Sequence, residues 1–223
     1  MPAFWILVGV AVVAAVVDWM AVGSDNRRLE YLAKPAVLAV LVAAAAVIPA
    51  DHTDLVDRRW WFVAALACCL AGDVLLMLPR DLFVPGLAAF LLGHGLFIVG
   101  LLQPPAPPGV PPFSFSVTGL VAAAVAVVVV ESVPGTLLLR ALVTSGQRAL
   151  VTPVCVYVAA IATMVVLAVN VGILAAAIGS VLFLGSDTLL AWNRFIRPVP
   201  RGPVAVHVTY HLAQVLLVIS LVR

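Results

Sequence analysis

Long apolar runs separated by short polar interruptions dominate the chain. Eight can be cut out, at residues 3–22, 32–48, 60–78, 82–102, 114–131, 150–169, 171–191 and 203–222. Each is close to the roughly 20 residues that a helix needs to cross the hydrocarbon of a bilayer. Within each run apolar residues follow one another without period-2 alternation, which predicts helices and not the strands of a membrane barrel. The predicted fold is therefore all-α, a polytopic bundle of about eight transmembrane helices in a single integral membrane domain. The first run lacks a basic leader and is followed by Asp18 and Trp19, so it reads as span one and not as a secretory signal.

Composition supports lipid as the solvent. Of 223 residues 65% are hydrophobic and 10% charged, with a mean hydropathy of +1.22. A water-soluble domain carries about 45–50% apolar and about 25% charged residues. The formal charge of +2, with no basic patch interleaved with aromatics, argues against a nucleic-acid partner. Cys68, Cys69 and Cys155 sit inside apolar runs without metal-ligand spacing and read as buried small hydrophobes.

The interruptions set an orientation. Linkers after spans one, three, five and seven hold Arg27, Arg28, Arg80, Arg140, Arg148, Arg194, Arg197 and Arg201. The opposite side holds Arg58, Arg59 and Arg223. The excess predicts a multi-pass protein of the cell membrane with the first group in the cytoplasm and both termini outside. QPPAPPGVPP (103–112) predicts a stiff extended loop. Residues 132–149 predict a linker, with a short helix along the interface.

A weak internal repeat runs through the chain. Gly72-Asp73-Val74-Leu75-Leu76 in span three matches Ser186-Asp187-Thr188-Leu189-Leu190 in span seven. Asp18 corresponds to Glu131, and Lys34-Pro35 to Thr152-Pro153. A four-plus-four duplication with both halves in one orientation would produce this pattern.

Ionisable groups inside a span are costly and need a partner or a function. Here they share one depth. Asp18, Lys34, Asp73, Glu131, Tyr157, Ser186 and Asp187 fall in the cytoplasmic halves of their spans, His207, Tyr210, His211 and Gln214 run from the cytoplasmic start of span eight toward its middle, and His94 is near the middle of span four. Only Asn170 belongs to the other side. Because successive spans run in opposite directions, a common depth implies a polar chamber open to one leaflet. His207, Tyr210, His211 and Gln214 share one helical face, as do Gly86, Phe90 and His94, and Gly179, Phe183 and Asp187. Gly72, Gly185 and Ser186 are small enough to bring helices together beside the carboxylates.

Asp73 and Asp187 are the sharpest chemical feature. Two neighbouring carboxylates in a poorly solvated site do not both ionise easily, so one acts as an acid and the other as a base. That pairing suits hydrolysis through an oxocarbenium-like state. The same residues would also serve as helix-pairing groups with Lys34 or an arginine. His207-x-x-x-His211 has the spacing of two metal ligands, and with His94 and an aspartate would make a hydrolytic zinc site. It lacks the adjoining Glu of a zincin. Proton-relay carboxylates of a transporter are a further reading. No G-x-S-x-G elbow and no phosphate-binding glycine loop is present.

In order along the chain stand Lys34-Pro35, Gly72-Asp73-x-Leu75-Leu76, Phe83, Gly86, Phe90, His94, Tyr157, Ser186-Asp187 and Tyr210-x-x-x-Gln214. Together they resemble the YhhN-type lysoplasmalogenase family of eight-span membrane proteins, from about residue 31 onward. Phe97 stands where that family often has an aromatic hydroxyl, and His211 is not one of its positions. The resemblance implies an enzyme that hydrolyses the vinyl ether of a lysophospholipid to a fatty aldehyde and a glycerophospho-headgroup, without a cofactor or metal. It implies Asp73 and Asp187 as the catalytic pair. Lys34, His94, Tyr157, Ser186, Tyr210 and Gln214 would bind substrate or orient the pair.

Overall fold

A computed structural model describes residues 1–49, 56–103 and 116–222. The proline-rich stretch from 104 onward, Asp51, Asp54 and Arg223 lie outside the described residues. Eight helices are long and apolar enough to cross a membrane. They are α1 (Pro2–Gly23), α2 (Arg27–Ala46), α3 (Val56–Met77), α4 (Phe83–Leu102), α5 (Val117–Thr144), α6 (Val151–Asn170), α7 (Leu174–Phe195) and α8 (Gly202–Ile219). No strand occurs among the described residues.

Local signals fix several ends. The Asn26 side chain accepts from the Leu29 amide at the start of α2, and Ser116 from the Gly119 amide at the start of α5. Large apolar residues point outward on every span. On α5 alone Val121, Val125, Val128, Val129, Val130 and Val133 are exposed, as expected where the outer solvent is lipid.

Two elements differ from the expectation. Instead of ending at Glu131, α5 continues to Thr144, so 132–144 is helix and no separate interfacial segment exists there. Its hydroxyls bond back into the helix, Ser132 Oγ donating to Val129 O and Thr136 Oγ1 to Ser132 O. Likewise α2 begins at Arg27, which places Lys34-Pro35 two turns inside the helix. At the opposite end of the bundle Arg58 and Arg59 are buried in α3 rather than lying in a linker. Arg58 donates to the Gly100, Leu101 and Gln103 carbonyls, closing the C-terminus of α4. Arg59 donates to the Ile48 carbonyl.

The packing order is alike in the two halves of the chain. Helix α1 packs on α2 as α5 does on α6, α2 on α3 as α6 on α7, and α3 on α4 as α7 on α8. Across the halves, α4 packs on α6 as α8 packs on α2. The symmetry breaks at α1, which lies against α8, and at α5, which touches α7. Close approach within the pairs depends on glycine. A Cβ at Gly72 would sit 2.7 Å from the Phe90 ring, and one at Gly86 would sit 2.6 Å from Leu76. Gly185 plays no such part, since nothing lies within 4 Å of the place its Cβ would take.

Candidate active site

The paired helices deliver two carboxylates to one cavity of about 310 Å³. Its walls come from the α2, α4, α6 and α8 starts and the α3, α5 and α7 ends, all at the same end of the bundle. Asp73 and Asp187 both line it, with Lys34, Tyr157, Ser186 and Tyr210. Apolar wall is supplied by Leu76, Leu87, Leu138, Val158, Ile161 and Leu184.

Each carboxylate is held by one residue from the preceding helix and one from the other half. Asp73 on α3 takes the Lys34 ammonium of α2 at 3.1 Å. Its Oδ2 accepts the Tyr210 hydroxyl of α8 at 2.8 Å. Asp187 on α7 accepts the Tyr157 hydroxyl of α6 on Oδ2. His94 Nε2 of α4 lies 4.0 Å from the same oxygen. The pattern α2–α3–α8 around Asp73 is thus repeated as α6–α7–α4 around Asp187. The two cradles differ in charge. Asp73 has a primary ammonium at contact distance and a side chain 1% exposed, whereas Asp187 has a phenol, an imidazole ring and a side chain 15% exposed.

An aromatic wall closes the site behind the carboxylates. Phe90, Phe183 and Tyr210 meet edge to face with centroids 5.4–6.5 Å apart. His94 stacks edge-on against Tyr157 at 5.1 Å and Phe183 at 4.7 Å. His94 and Gln214 are both fully buried and do not line the cavity. Of the two roles expected of them, binding substrate or orienting the aspartates, their position behind the cavity favours the second. His94 backs Asp187 and Tyr157, and Gln214 sits beside the Cys69 thiol and the Tyr210 hydroxyl. Ser186 does line the cavity, with its hydroxyl donated to the Val206 carbonyl of α8 at 3.1 Å. Phe97 packs edge-on against Phe62 in the core.

The histidines do not gather. His207 Nδ1 lies 2.6 Å from Asp18 Oδ2, and His211 Nδ1 lies 3.8 Å from the same oxygen. The Nδ1 lone pair of His211 takes the Trp19 indole N–H at 3.1 Å. His94 belongs to the Asp187 cradle instead. Among the described residues no three His, Cys, Asp or Glu side chains form a metal-holding group. Cys155 is exposed on the outer face of α6 and is not the buried hydrophobe expected, while Cys69 is buried.

Residues not singled out for the site also face the cavity. Arg27 and Glu30 share with Lys34 one face of α2, at i, i+3 and i+7. Glu131, which accepts from Thr188 Oγ1 at 3.1 Å, joins them from α5 because that helix does not end there. The α2 spacing was visible in the sequence, whereas the place of Glu131 depended on the length of α5.

Known proteins bear on these residues as a set. A lysoplasmalogenase of Mycobacterium bovis is 37% identical over 186 residues, 82% of this chain and 66% of that protein. Lysoplasmalogenase TMEM86B of Homo sapiens is 30% identical over 162 residues, 71% of this chain and 62% of its own length. That of Mus musculus is 29% identical over 205 residues, 92% of this chain and 80% of its own length. The chain therefore spans about two thirds of the first two relatives. No solved structure matches it. The pattern of the YhhN family matches residues 29–221, which contain both carboxylate cradles and all of the cavity wall except Arg27, and the chain belongs to that family.

Proposed function

We propose that this protein is an intramembrane hydrolase that cleaves the vinyl-ether bond of a lysophospholipid, using Asp187 and Asp73 as the acid/base pair. The observation that carries the reading is the pair of carboxylates on one lipid-depth cavity, one paired with an ammonium and the other with a phenol. The names of the relatives, lysoplasmalogenases, support the substrate class.

The chemistry follows from that asymmetry. Lys34 holds Asp73 as a carboxylate. Among the described residues Asp187 has no ammonium or guanidinium partner, and with Tyr157 on Oδ2 it carries its proton on Oδ1. Asp187 protonates the β-carbon of the vinyl ether, and the α-carbon becomes an oxocarbenium ion. Asp73 stabilises that cation and takes a proton from the water that adds to it. The resulting hemiacetal collapses as Asp187 recovers a proton from its hydroxyl and Asp73 returns one to the glycerol oxygen. The C–O bond breaks, aldehyde and glycerophospho-headgroup leave, and both aspartates regain their starting states.

The alkenyl chain lies along the apolar wall of α4, α5 and α6, and the headgroup lies at the mouth near Arg27. The arginine excess at that end orients the mouth toward the cytoplasmic leaflet of the cell membrane. A single cysteine at position 80, in a chain with its three native cysteines replaced, would then react with an impermeant thiol reagent in inverted vesicles and not in intact cells.

Aldehyde release from a 1-alkenyl-2-lyso-glycerophosphocholine by the purified protein tests the reaction. Asp73→Asn and Asp187→Asn each lower it about a hundredfold or more. Turnover at the native rate in both variants, with the fold intact, overturns the mechanism.

A further inference from the structure

The Asp18–His207 pair has no part in the reaction above, yet His207 faces the same cavity. Asp18 is fully buried on α1, and among the described residues its only hydrogen bond is to His207 Nδ1 at 2.6 Å. His211 does not compete for that oxygen as a donor, because its Nδ1 accepts the Trp19 indole N–H. In a neutral imidazole, a carboxylate acceptor at Nδ1 holds the proton there and leaves the lone pair on Nε2. His207 lines the cavity, and Nε2 is neither sealed in the core nor engaged by any partner among the described residues. The result is a pre-oriented hydrogen-bond acceptor on a cavity wall.

Its position selects what it meets. His207 precedes Tyr210 on α8 by three residues, which places it about 4.5 Å nearer the mouth. Tyr210 marks the depth of Asp73 and hence of the vinyl ether. Arg27, at the start of α2, marks the cationic side of the mouth, where a phosphate would lie. Between ether oxygen and phosphate a lysophospholipid has only its glycerol, and the one hydrogen-bond donor there is the free sn-2 hydroxyl. The charged groups around the ring, Asp18 on α1, Lys34 on α2 and Asp73 on α3, are engaged with His207 or with one another. Lys34 and Asp73 engage each other, and His207 Nε2 stays open to the cavity.

We propose that His207, held by Asp18, accepts the free sn-2 hydroxyl of the substrate glycerol and so confers preference for lysolipids. This rests on the hydrolase reading above. Asp18 is a positioning residue, and His207 is a specificity residue. A site built to bond a hydroxyl discriminates against the analogue lacking it, since the buried acceptor is then left unpaired.

The test compares 1-alkenyl-2-lyso-glycerophosphocholine with its 2-deoxy analogue on the purified full chain. The native protein prefers the hydroxyl substrate by about ten- to a hundredfold in kcat/KM. In His207→Ala the ratio collapses to within about twofold of unity, whereas His207→Gln, which keeps an acceptor, retains part of it. Asp18→Asn, which no longer fixes the ring tautomer, narrows the ratio. A native ratio near unity overturns the assignment without any variant. A ratio unchanged in His207→Ala overturns it as well. Aldehyde from neither substrate overturns the hydrolase reading and this assignment together, while aldehyde from both at equal rates overturns this assignment alone.

Discussion

The Tyr210 hydroxyl on α8 donates to Asp73 Oδ2 on α3 at 2.8 Å, joining the last helix of the chain to the carboxylate of its first half. The same ring packs edge to face on Phe90 and Phe183. Tyr210 therefore has two separable roles, a hydrogen bond to the site and a place in the aromatic wall.

Tyr210→Phe separates them. The ring contacts survive, so stability falls by only about 1 kcal/mol, the net worth of one hydrogen bond. Asp73 loses a donor that fixes its orientation, and kcat for aldehyde release falls about tenfold or more. A thermal melt beside a turnover assay checks both.

Lys34 and Asp73 form a buried ion pair, and cutting one side leaves the other charge uncompensated. Lys34→Met lowers stability by about 3–5 kcal/mol. Adding Asp73→Asn to it restores much of that loss, because no isolated buried carboxylate remains. Activity stays lost in the double variant. A double-mutant cycle in melting temperature, read beside aldehyde release, shows whether the two effects divide in this way.

Tyr157→Phe removes the donor to Asp187 and keeps the edge-on contact with His94. The rate falls about tenfold or more while the melting temperature changes little. A loss in stability alone, with native turnover, would put Tyr157 outside the reaction.

Gly72 is where α3 and α4 come close enough to set Asp73 beside the aromatic wall. Gly72→Ala drives a methyl to 2.7 Å from the Phe90 ring. The expected cost is about 1–3 kcal/mol, with reduced turnover. Phe90→Leu in the same chain relieves the clash and recovers part of the stability, measured by thermal unfolding in detergent.

Much of this site was legible in the sequence because lipid makes charge scarce. Asp73 and Asp187 stand out in an apolar chain, and the alternation of span directions places Lys34, Tyr157 and Tyr210 at their depth. Partnership was not legible. Which donor meets Asp73 depends on α8 lying beside α3 and α2, a fact of packing between halves of the chain. His94 and Gln214 shared the depth and the helical face of site residues, yet they sit behind the wall, since depth and face do not report what covers a side chain. His207 and His211 had metal-ligand spacing, and only the neighbouring α1 showed that Asp18 and Trp19 occupy them. The length of α5 was missed because Glu131 and Arg140 look, in sequence, like the polar flanks of a span, although both lie inside one helix.

The sequence by itself determined the solvent, the helices and the depth at which polar groups gather, because hydrophobicity and helical period act locally along the chain. Only the tertiary structure decided which of those groups touch. Hydrogen bonds and ion pairs are short-ranged, and helix contacts far apart in sequence place their donors and acceptors within reach.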